Sequence, residues 1–390
     1  MKIRKLKLSR EERVSNAVSR FLVTNGIPGA SVGVSVNGRL VLAEGYGFAD
    51  VENGHPCTKD TVMRIASISK PITSTIAAKL LEMGKLDLDK SIYALVPDFP
   101  KKKVENKEVD ITIRQLLNHT SGVRHYKKIY EETDLNKIDK LFENYGQDEK
   151  DAEALYRKFY PTTEDAVNMF KADDLLFKPG AKFSYTTHGY TLLGWCLEKA
   201  SGETFDRLAF KLFNELGMHN TCVDQNEPIT PNRAKFYRRN ARHLLVNVPE
   251  VDCSYKHPSG GILSNVEDLL KFANAMLQSY QATDSSQTFL KPSTVDEFWN
   301  NVGIASSDYA LGWSQWPVSC VNKQTNWNQI WYHTGAAVGA SSILLIKSDR
   351  HLTNQTYPQG ICVAILVNMY GIDTRSLAKE IVDIFEQYNN

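Results

Sequence analysis

Two residues three positions apart, a serine and a lysine, carry the chemistry that this sequence offers most directly. Ser67 and Lys70 lie in the segment from Met63 to Glu82, whose composition predicts a helix. In a helix, three steps of about 100° return a side chain to nearly the same face, about 4.5 Å further along the axis. The lysine amine can therefore contact the serine hydroxyl, which is the arrangement of a nucleophile and its base. The competing interpretation makes Ser67 a helix cap and Lys70 a surface charge.

An apolar stripe along this helix would fix the position of the serine. Ile72 and Ile76 recur at a spacing that places them on one face, and Gly84 is a typical helix stop. Pro71 has no backbone N–H and cannot donate to the carbonyl of Ser67, so we expect the helix to open slightly at its reactive turn. The pattern predicts one buried helix over residues 63–82.

The segments around this helix predict the scaffold that positions it. Asn37 and Gly38 form the two-residue turn that suits a hairpin, and the residues on both sides alternate apolar and small side chains. Thr112 and Gln115 form a capping box, which predicts a short helix. The predicted elements of the first third are a helix over 10–25, strands over 30–36 and 39–43, and helices over 63–82 and 112–119.

Between about residues 126 and 178 the chain is charged and helix-prone but lacks a strong apolar stripe. Such a composition is typical of a solvated helical insertion, with a mobile lid or a partner-docking surface as the alternative. Ser264 and Glu267 form a second capping box, and two later apolar runs predict strands covered on both faces. The predicted elements of this part are helices over 191–200, 264–277 and 372–388 and strands over 341–346 and 360–367.

Strands near both ends of the chain, with helices between them, predict an α+β fold. One antiparallel sheet would be built from the two termini, with an all-helical lobe inserted between its two contributions. We expect residues 1–60 and 255–390 to form the lobe that holds the sheet. Residues 61–254 would form the helical lobe, including the insertion at about 126–178.

Charge and composition exclude several classes of protein. Forty-six Lys and Arg against 45 Asp and Glu give a net charge of +1, so no overall field recruits nucleic acid. No apolar run reaches the ~18 residues that span a bilayer. The six cysteines include no Cys-x-x-Cys pair, which argues against a zinc ribbon and predicts reduced thiols. The basic segment Met1 to Arg10 favours a plain basic tail over a mitochondrial leader.

Two further segments strengthen the interpretation of the serine and lysine. They are Phe183-Ser-Tyr-Thr-Thr-His-Gly189 and Trp331-Tyr-His-Thr-Gly-Ala336. In this order the three segments resemble the serine beta-lactamase and penicillin-binding protein superfamily, whose Ser-x-x-Lys, Tyr-x-Asn and Lys/His-Thr-Gly elements converge on one cleft. The resemblance extends over roughly residues 26 to 370 and implies the fold of that superfamily.

The resemblance also implies a covalent acyl-transfer mechanism. Ser67 would attack a carbonyl, while Lys70 and Tyr185 share its proton and deliver it to the leaving group. Lysine has an ordinary pKa near 10.4, so it acts as a base near neutral pH only where burial or a nearby cation depresses that value. The oxyanion would lie between the backbone N–H groups of Ser67 and Ala336. The other residues implied in substrate binding are Thr187, His333, Thr334 and Gly335.

Two of these positions depart from the superfamily pattern. Thr187 stands where asparagine is usual, and His333 stands where many members have a lysine. An imidazole with a pKa near 6.5 is mostly neutral at pH 7. Both changes weaken the case for a beta-lactam or a terminal D-alanine carboxylate and favour peptide or ester substrates. His119 and His125 lack the carboxylate or thiol partners of a metal site, so structural roles are expected and no metal or cofactor is predicted.

Closer matching, in segments such as Gly122-Val-Arg-His-Tyr126, is to the mitochondrial serine beta-lactamase-like proteins of animals. That similarity implies a mitochondrial serine peptidase that forms filaments and influences lipid metabolism. The first hypothesis is therefore a serine hydrolase, with peptide or ester substrates and a homo-oligomer or filament as its assembly. The alternatives are an assembly protein with a vestigial cleft, and a carboxylesterase or beta-lactamase-type hydrolase. A cytoplasmic location is the alternative to a mitochondrial one.

Overall fold

A seven-stranded antiparallel sheet joins segments from both ends of the chain. The structure is a computed structural model that describes residues 8–126, 139–140, 153–286, 288–300, 303–304, 307–316, 329–349 and 357–386. Its strands are β1 (Gly29–Val36), β2 (Arg39–Asp50), β3 (His55–Pro56), β4 (Met63–Arg64), β5 (Lys102–Val104), β6 (Lys107–Val109), β7 (Cys222–Val223), β8 (Tyr237–Arg239), β9 (Leu245–Asn247), β10 (Ile262–Ser264), β11 (Ser314–Gln315), β12 (Ile330–Ala337), β13 (Ala340–Ser348) and β14 (Gly360–Val367). The order in the large sheet is β11-β12-β13-β14-β1-β2-β3.

Helices cover both faces of this sheet. In chain order, the helices of the described residues are α1 (Arg10–Asn25), α2 (Ser69–Glu82), α3 (Ile113–Leu117), α4 (Thr163–Val167), α5 (Thr187–Ser201), α6 (Phe205–Glu215), α7 (His257–Gly260), α8 (Val266–Gln281), α9 (Pro292–Asn300) and α10 (Arg375–Glu386). α1 and α10 pack on one face and α8 on the other, so every residue of β13 and β14 is buried. Burial of apolar surface, worth about 25 cal/mol per Å², stabilises such strands. The predicted α+β fold with one antiparallel sheet from both termini is confirmed.

The hairpin and the first helix form as their local sequence predicts. Asn37 and Gly38 have φ angles of 51° and 76°, the left-handed values that a two-residue hairpin turn requires. α1 opens with a capping box in which Ser9 and Glu12 bond reciprocally, and Gly26 ends it in the left-handed conformation. These local signals fix β1 and β2, the strands that lead into the reactive segment.

The predicted helix over 63–82 is wrong at its start. The segment begins as β4, which pairs with β10, and continues as a 3₁₀ turn that contains Ala66. α2 begins only at Ser69, because Ala66 has a φ of 49° and no α-helix continues through that value. Pro71 therefore lies in the first turn of α2, where its missing N–H costs no hydrogen bond. The expected opening of a helix at this proline is replaced by a separate turn.

A second boundary also differs from the prediction. Asn265 caps α8 instead of Ser264, since the N–H of Asp268 donates to Asn265 Oδ1 at 2.9 Å. The Ser264 hydroxyl lies 2.8 Å from the hydroxyl of Thr221. The other predicted helices and strands are present: α1 and β14 have the predicted bounds, and the rest have shifted ends. The division into lobes of residues 1–60 with 255–390 and 61–254 stays a prediction.

The charged insertion is anchored where the structure describes it, whereas residues 127–138 and 141–152 lie outside the described part of the chain. Glu153 is 4% exposed, and its carboxylate accepts from Arg124 Nη1 at 2.8 Å. The same carboxylate lies 3.0 Å from Nε2 of His188. Further back, Asp139 accepts from the N–H of Ala241 at 2.8 Å. Glu153 is therefore buried, whereas Asp139 and many of residues 157–178 are partly or fully exposed, and the solvated insertion stays a prediction.

The cysteines are free thiols wherever the structure describes them. Five of them carry no disulfide, and the sixth, Cys320, lies outside the described residues. Within the described ranges, no helix is long and apolar enough to cross a membrane. The same residues contain no group of His, Cys, Asp and Glu that could hold a metal ion.

Candidate active site

Ser67 lies on a strained turn at the edge of a cleft. Its neighbour Ala66 is buried with a φ of 49°, a conformation that costs an alanine about 1–2 kcal/mol. Backbone bonds hold the turn: the N–H of Ile65 donates to the carbonyl of Ile262 at 3.0 Å, and the N–H of Ile68 donates to the carbonyl of Ile65 at 3.2 Å. Such strain persists because the packing on both sides of the turn determines its shape.

Lys70 is fully buried directly behind this serine. Its Nζ lies 3.1 Å from Ser67 Oγ and 2.8 Å from the carbonyl oxygen of Ser259, and 4.7 Å from the centroid of the Tyr185 ring. Burial lowers the pKa of Lys70 well below its ordinary value, and the charge of Lys256 lowers it further. The neutral amine can donate to the carbonyl and accept a proton from the serine hydroxyl.

Tyr185 closes the cleft from the segment that leads into α5. Its hydroxyl bonds to Ser67, while enclosure in the protein raises the pKa of this phenol above its ordinary value. The tyrosine therefore keeps its proton near neutral pH. Two residues later, Thr187 lines the same cleft, and its N–H donates to Nδ1 of His125 at 3.2 Å.

His333, on β12, is a neutral side chain in this site. Its Nδ1 lies 2.6 Å from the carbonyl oxygen of Thr334, which can only accept, so Nδ1 carries the proton. Nε2 then accepts from the hydroxyl of Tyr309 at 3.0 Å. Desolvation by burial lowers the pKa of His333 to about 3. β12 therefore offers no fixed positive charge at the position where many superfamily members have lysine.

Gly335 allows β12 to lie directly against the serine turn. A Cβ at this position would lie 2.3 Å from the carbonyl oxygen of Ile65 and 2.2 Å from Ser342 Oγ, so no larger residue fits. The Ser342 hydroxyl donates to that same carbonyl at 2.8 Å. The next residue, Ala336, is exposed in the cleft beside Ser67.

These elements enclose a cleft of about 510 Å³. The structure brings the predicted site residues together here: Lys70 and Gly335 lie behind the cleft, and the others line it. The lining residues that the sequence predicted are Ser67, Tyr185, Thr187, His333, Thr334 and Ala336. Those that it did not predict include Lys256, Ser259, Asp308 and Tyr309. No spacing distinguishes these four residues, because they reach the cleft from parts of the chain remote from the three motifs.

His119 and His125 support the segment that carries Tyr185. His119 Nδ1 accepts from the N–H of Thr186 at 3.2 Å, and His125 accepts from the next residue, as described above. The His119 ring centroid lies 4.3 Å from that of Tyr185. Burial lowers the pKa of both histidines, that of His125 to about 3, so both stay neutral acceptors. The two histidines have structural contacts of the kind expected from the sequence.

Comparison with known proteins agrees with this arrangement of fold and cleft. The sequence matches the Beta-lactamase family over residues 14–383, and the chain belongs to this family of serine hydrolases. Three relatives that are named as mitochondrial proteins are similar to this sequence over most of its length. One of them, named serine beta-lactamase-like protein LACTB, mitochondrial, from Homo sapiens, is 38% identical over 93% of this chain and 77% of that protein.

Solved structures show the same fold at lower sequence identity. The octameric penicillin-binding protein homologue from Pyrococcus abyssi superposes with a TM-score of 0.72 at 22% identity, over 96% of this chain and 77% of that chain. EstCE1, described as a hydrolase with promiscuous acyltransferase activity, gives a TM-score of 0.74 at 21% identity, over 96% of this chain and 98% of that chain. These likenesses establish the beta-lactamase and penicillin-binding protein fold.

Proposed function

We propose that this protein is a serine acyl hydrolase in which Ser67 is the nucleophile, Lys70 is the base and Tyr185 passes the proton to the leaving group. The observation that carries the proposal is the 3.1 Å contact between Ser67 Oγ and the Nζ of Lys70, which is fully buried and whose pKa is lowered well below its ordinary value, first by burial and then by the charge of Lys256. A neutral amine at hydrogen-bond distance from a hydroxyl can take its proton. Serine without such a partner is a weak nucleophile.

In the first half of the reaction, Ser67 Oγ bonds to the substrate carbonyl carbon and its proton passes to Lys70. The carbonyl oxygen becomes an oxyanion beside the N–H groups of Ser67 and Ala336. When the intermediate collapses, the bond to the leaving group breaks, and the proton passes through the hydroxyl of Tyr185 to the departing nitrogen or oxygen. The acyl group is then an ester of Ser67.

In the second half, water replaces the leaving group. It loses a proton to Lys70 as its oxygen bonds to the acyl carbon, and the ester bond to Ser67 breaks with return of that proton to Oγ. The products are the free acid and the starting enzyme. Only protons and the acyl group move in this cycle, so its chemistry requires no oxidant or reductant.

Peptide substrates are our first choice and esters our second. The neutral His333 and the hydroxyl of Thr187 leave the usual beta-lactam and D-alanine carboxylate contacts unfilled on that wall of the cleft. Proteins of this fold include one named D-amino acid amidase and EstCE1, which is described as a hydrolase with promiscuous acyltransferase activity. We further propose a mitochondrial location, supported by the similarity to the human relative that is named as mitochondrial.

Self-assembly is a second candidate function, and one observation favours it. The outer edge of β2 from Arg39 to Tyr46 pairs with no other strand in the described part of the chain. Leu40 and Val41 on this strand are 50% and 40% exposed. An open apolar edge is suited to pairing with a second copy. Electron microscopy of the purified protein tests this: oligomers or filaments are expected, and a monomer at every salt concentration contradicts the proposal.

Covalent labelling tests the hydrolase proposal. A fluorophosphonate probe is expected to modify Ser67 in the wild-type protein, and Ser67→Ala is expected to lose both the label and at least about 10³-fold of the turnover of peptide and ester libraries. Ser307→Ala is the matched control, because Ser307 lines the same cleft but lacks a lysine partner among the described residues. Equal labelling of wild type and Ser67→Ala would rule out Ser67 as the nucleophile.

A further inference from the structure

Lys256 is a second lysine in the cleft, and the mechanism above does not use it. It lies immediately before α7, is 3% exposed and lines the cavity beside Ser67. Its Nζ lies 5.2 Å from the centroid of the Tyr255 ring. Within the described ranges, no carboxylate forms an ion pair with it. Burial of an unpaired ammonium costs free energy, which suggests that Lys256 has a role in the chemistry of the cleft.

Both cleft lysines are tied to the short helix α7. Lys70 donates to the carbonyl of Ser259, in α7, at 2.8 Å. The stem of Lys256 lies against Gly260: a Cβ on that glycine would be 3.9 Å from Lys256 Cδ and 3.8 Å from the carbonyl carbon of Ala66. Lys256 and the turn that carries the nucleophile therefore border the same glycine. This places a positive charge close to the serine–lysine pair.

The other groups that face Lys70 carry no fixed positive charge. They come from the serine turn before α2, from the segment that follows α3, from α5 and the segment that precedes it, from α7 and from β12. They are the hydroxyl of Ser67, the rings of Tyr185 and Tyr190, the carbonyl of Ser259, and the neutral imidazoles of His119, His125 and His333. Among the described residues, Lys256 is thus the cation of this environment.

We propose that Lys256 supplies the fixed positive charge that β12 lacks in this chain, and that this charge keeps Lys70 in its neutral, proton-accepting form. The proposal rests on the proposed function of the Ser67–Lys70 pair. Its physical basis is the repulsion between two ammonium groups in a poorly solvated space, which disfavours protonation of the second. The lowered pKa of Lys70, caused first by burial and then by Lys256, agrees with it. Lys256 acts through Lys70 and is a positioning residue.

A series of substitutions that varies the charge at position 256 tests this proposal. Lys256→Arg, Lys256→Met and Lys256→Glu are compared by pH–rate profiles on an uncharged substrate. Without the positive charge Lys70 holds its proton to higher pH, so kcat/KM of Lys256→Met should fall about tenfold at pH 7 and recover toward the wild-type value in alkali. Lys256→Glu should fall further, and Lys256→Arg should stay within about threefold. Lys182→Met, an exposed lysine beside cleft-lining Phe183, is the control.

Titration of Lys70 by ¹³Cε NMR gives a readout that does not depend on turnover. We expect the Lys70 signal to titrate at higher pH in Lys256→Met than in wild type, with folding checked by thermal unfolding. An unchanged Lys70 titration overturns the proposal, even if activity is lost. A loss confined to anionic substrates, with an unchanged pH profile, also overturns it and assigns Lys256 to substrate binding. Failure of the proposed function would appear separately, as wild-type protein that takes no label at Ser67.

Discussion

Two buried lysines in this fold have opposite surroundings. Lys347, on β13, is 2% exposed, and its ammonium pairs with Asp349 at 3.3 Å and with Glu386. Lys70, on α2, is 0% exposed, and its Nζ contacts a hydroxyl and a carbonyl. The first lysine is neutralised by two carboxylates at the far end of the sheet. Burial lowers the pKa of the second lysine, and the charge of Lys256 lowers it further.

The partner of a buried lysine, more than its burial, decides what the lysine does here. Carboxylates favour the charged ammonium, so Lys347 joins β13 to α10 through Glu386. A site without an anion favours the neutral amine, which is the form that can take a proton from Ser67. A lysine with a lowered pKa, in a cleft and beside a hydroxyl, is a candidate for catalysis. A lysine on a strand that pairs with carboxylates is a structural link.

The strongest test of this contrast is to remove each amine in turn. Lys70→Met is expected to lower hydrolysis and the rate of fluorophosphonate labelling by about 10³-fold, because Ser67 loses its base. Lys347→Met should leave the activity of the folded protein within about threefold of wild type. Equal losses in the two variants would show that burial, and not the serine contact, sets the effect.

The sequence predicts the Ser67–Lys70 contact, although for a reason that is only partly correct. The two residues lie across a 3₁₀ turn and the start of α2 instead of within one helix. Residues three apart meet in a 3₁₀ turn as they do in an α-helix, so the contact is insensitive to the wrong boundary. The hairpin, the caps and the apolar strands are local patterns, which accounts for their agreement with the structure.

The features that the sequence does not predict depend on contacts between distant segments. The left-handed φ of Ala66 occurs where β10, Ser342 and Gly335 all contact the serine turn. Lys256 reaches the cleft only because α7 packs against α2. No local spacing encodes either contact. Packing between distant segments therefore determines which charged side chain lies in the site, whereas a local sequence motif predicts its nucleophile.

Two glycine substitutions, one in β12 and one in β14, compare the end of the sheet beside Ser67 with the end that carries Lys347. Gly335→Ala places a Cβ 2.3 Å from the carbonyl of Ile65, so β12 must move away from the serine turn, and activity per folded molecule should fall about 10- to 100-fold. Gly360→Ala places a Cβ 2.1 Å from the carbonyl of Lys347 at a φ of 148°. It should lower the free energy of unfolding by about 2–3 kcal/mol and spare activity. Loss of activity in Gly360→Ala alone would contradict this assignment.

The two lysine variants should rank in the opposite order in stability: Lys347→Met, which keeps activity, should lose stability, and Lys70→Met, which loses activity, should not. Lys347→Met leaves Asp349 and Glu386 without their cation, and we expect the free energy of unfolding to fall by about 1–2 kcal/mol, a modest value because both carboxylates are partly exposed. Lys70→Met removes an amine whose burial opposes its charge, so its stability should match or exceed that of wild type. Urea unfolding measures both values. A marked loss in Lys70→Met would mean that the amine stabilises the fold.

The pH dependence of stability isolates the protonation of Lys70. Its folded-state pKa is depressed, so between that value and the unfolded pKa near 10.4 the unfolded chain binds more protons than the folded protein. Stability contributed by Lys70 therefore rises with pH in that window, by up to about 1.4 kcal/mol per pH unit, and is flat below it. Toward alkaline pH the unfolding free energy of wild type should therefore rise relative to that of Lys70→Met. A constant difference would mean that Lys70 is charged in the folded protein and cannot serve as the base for Ser67.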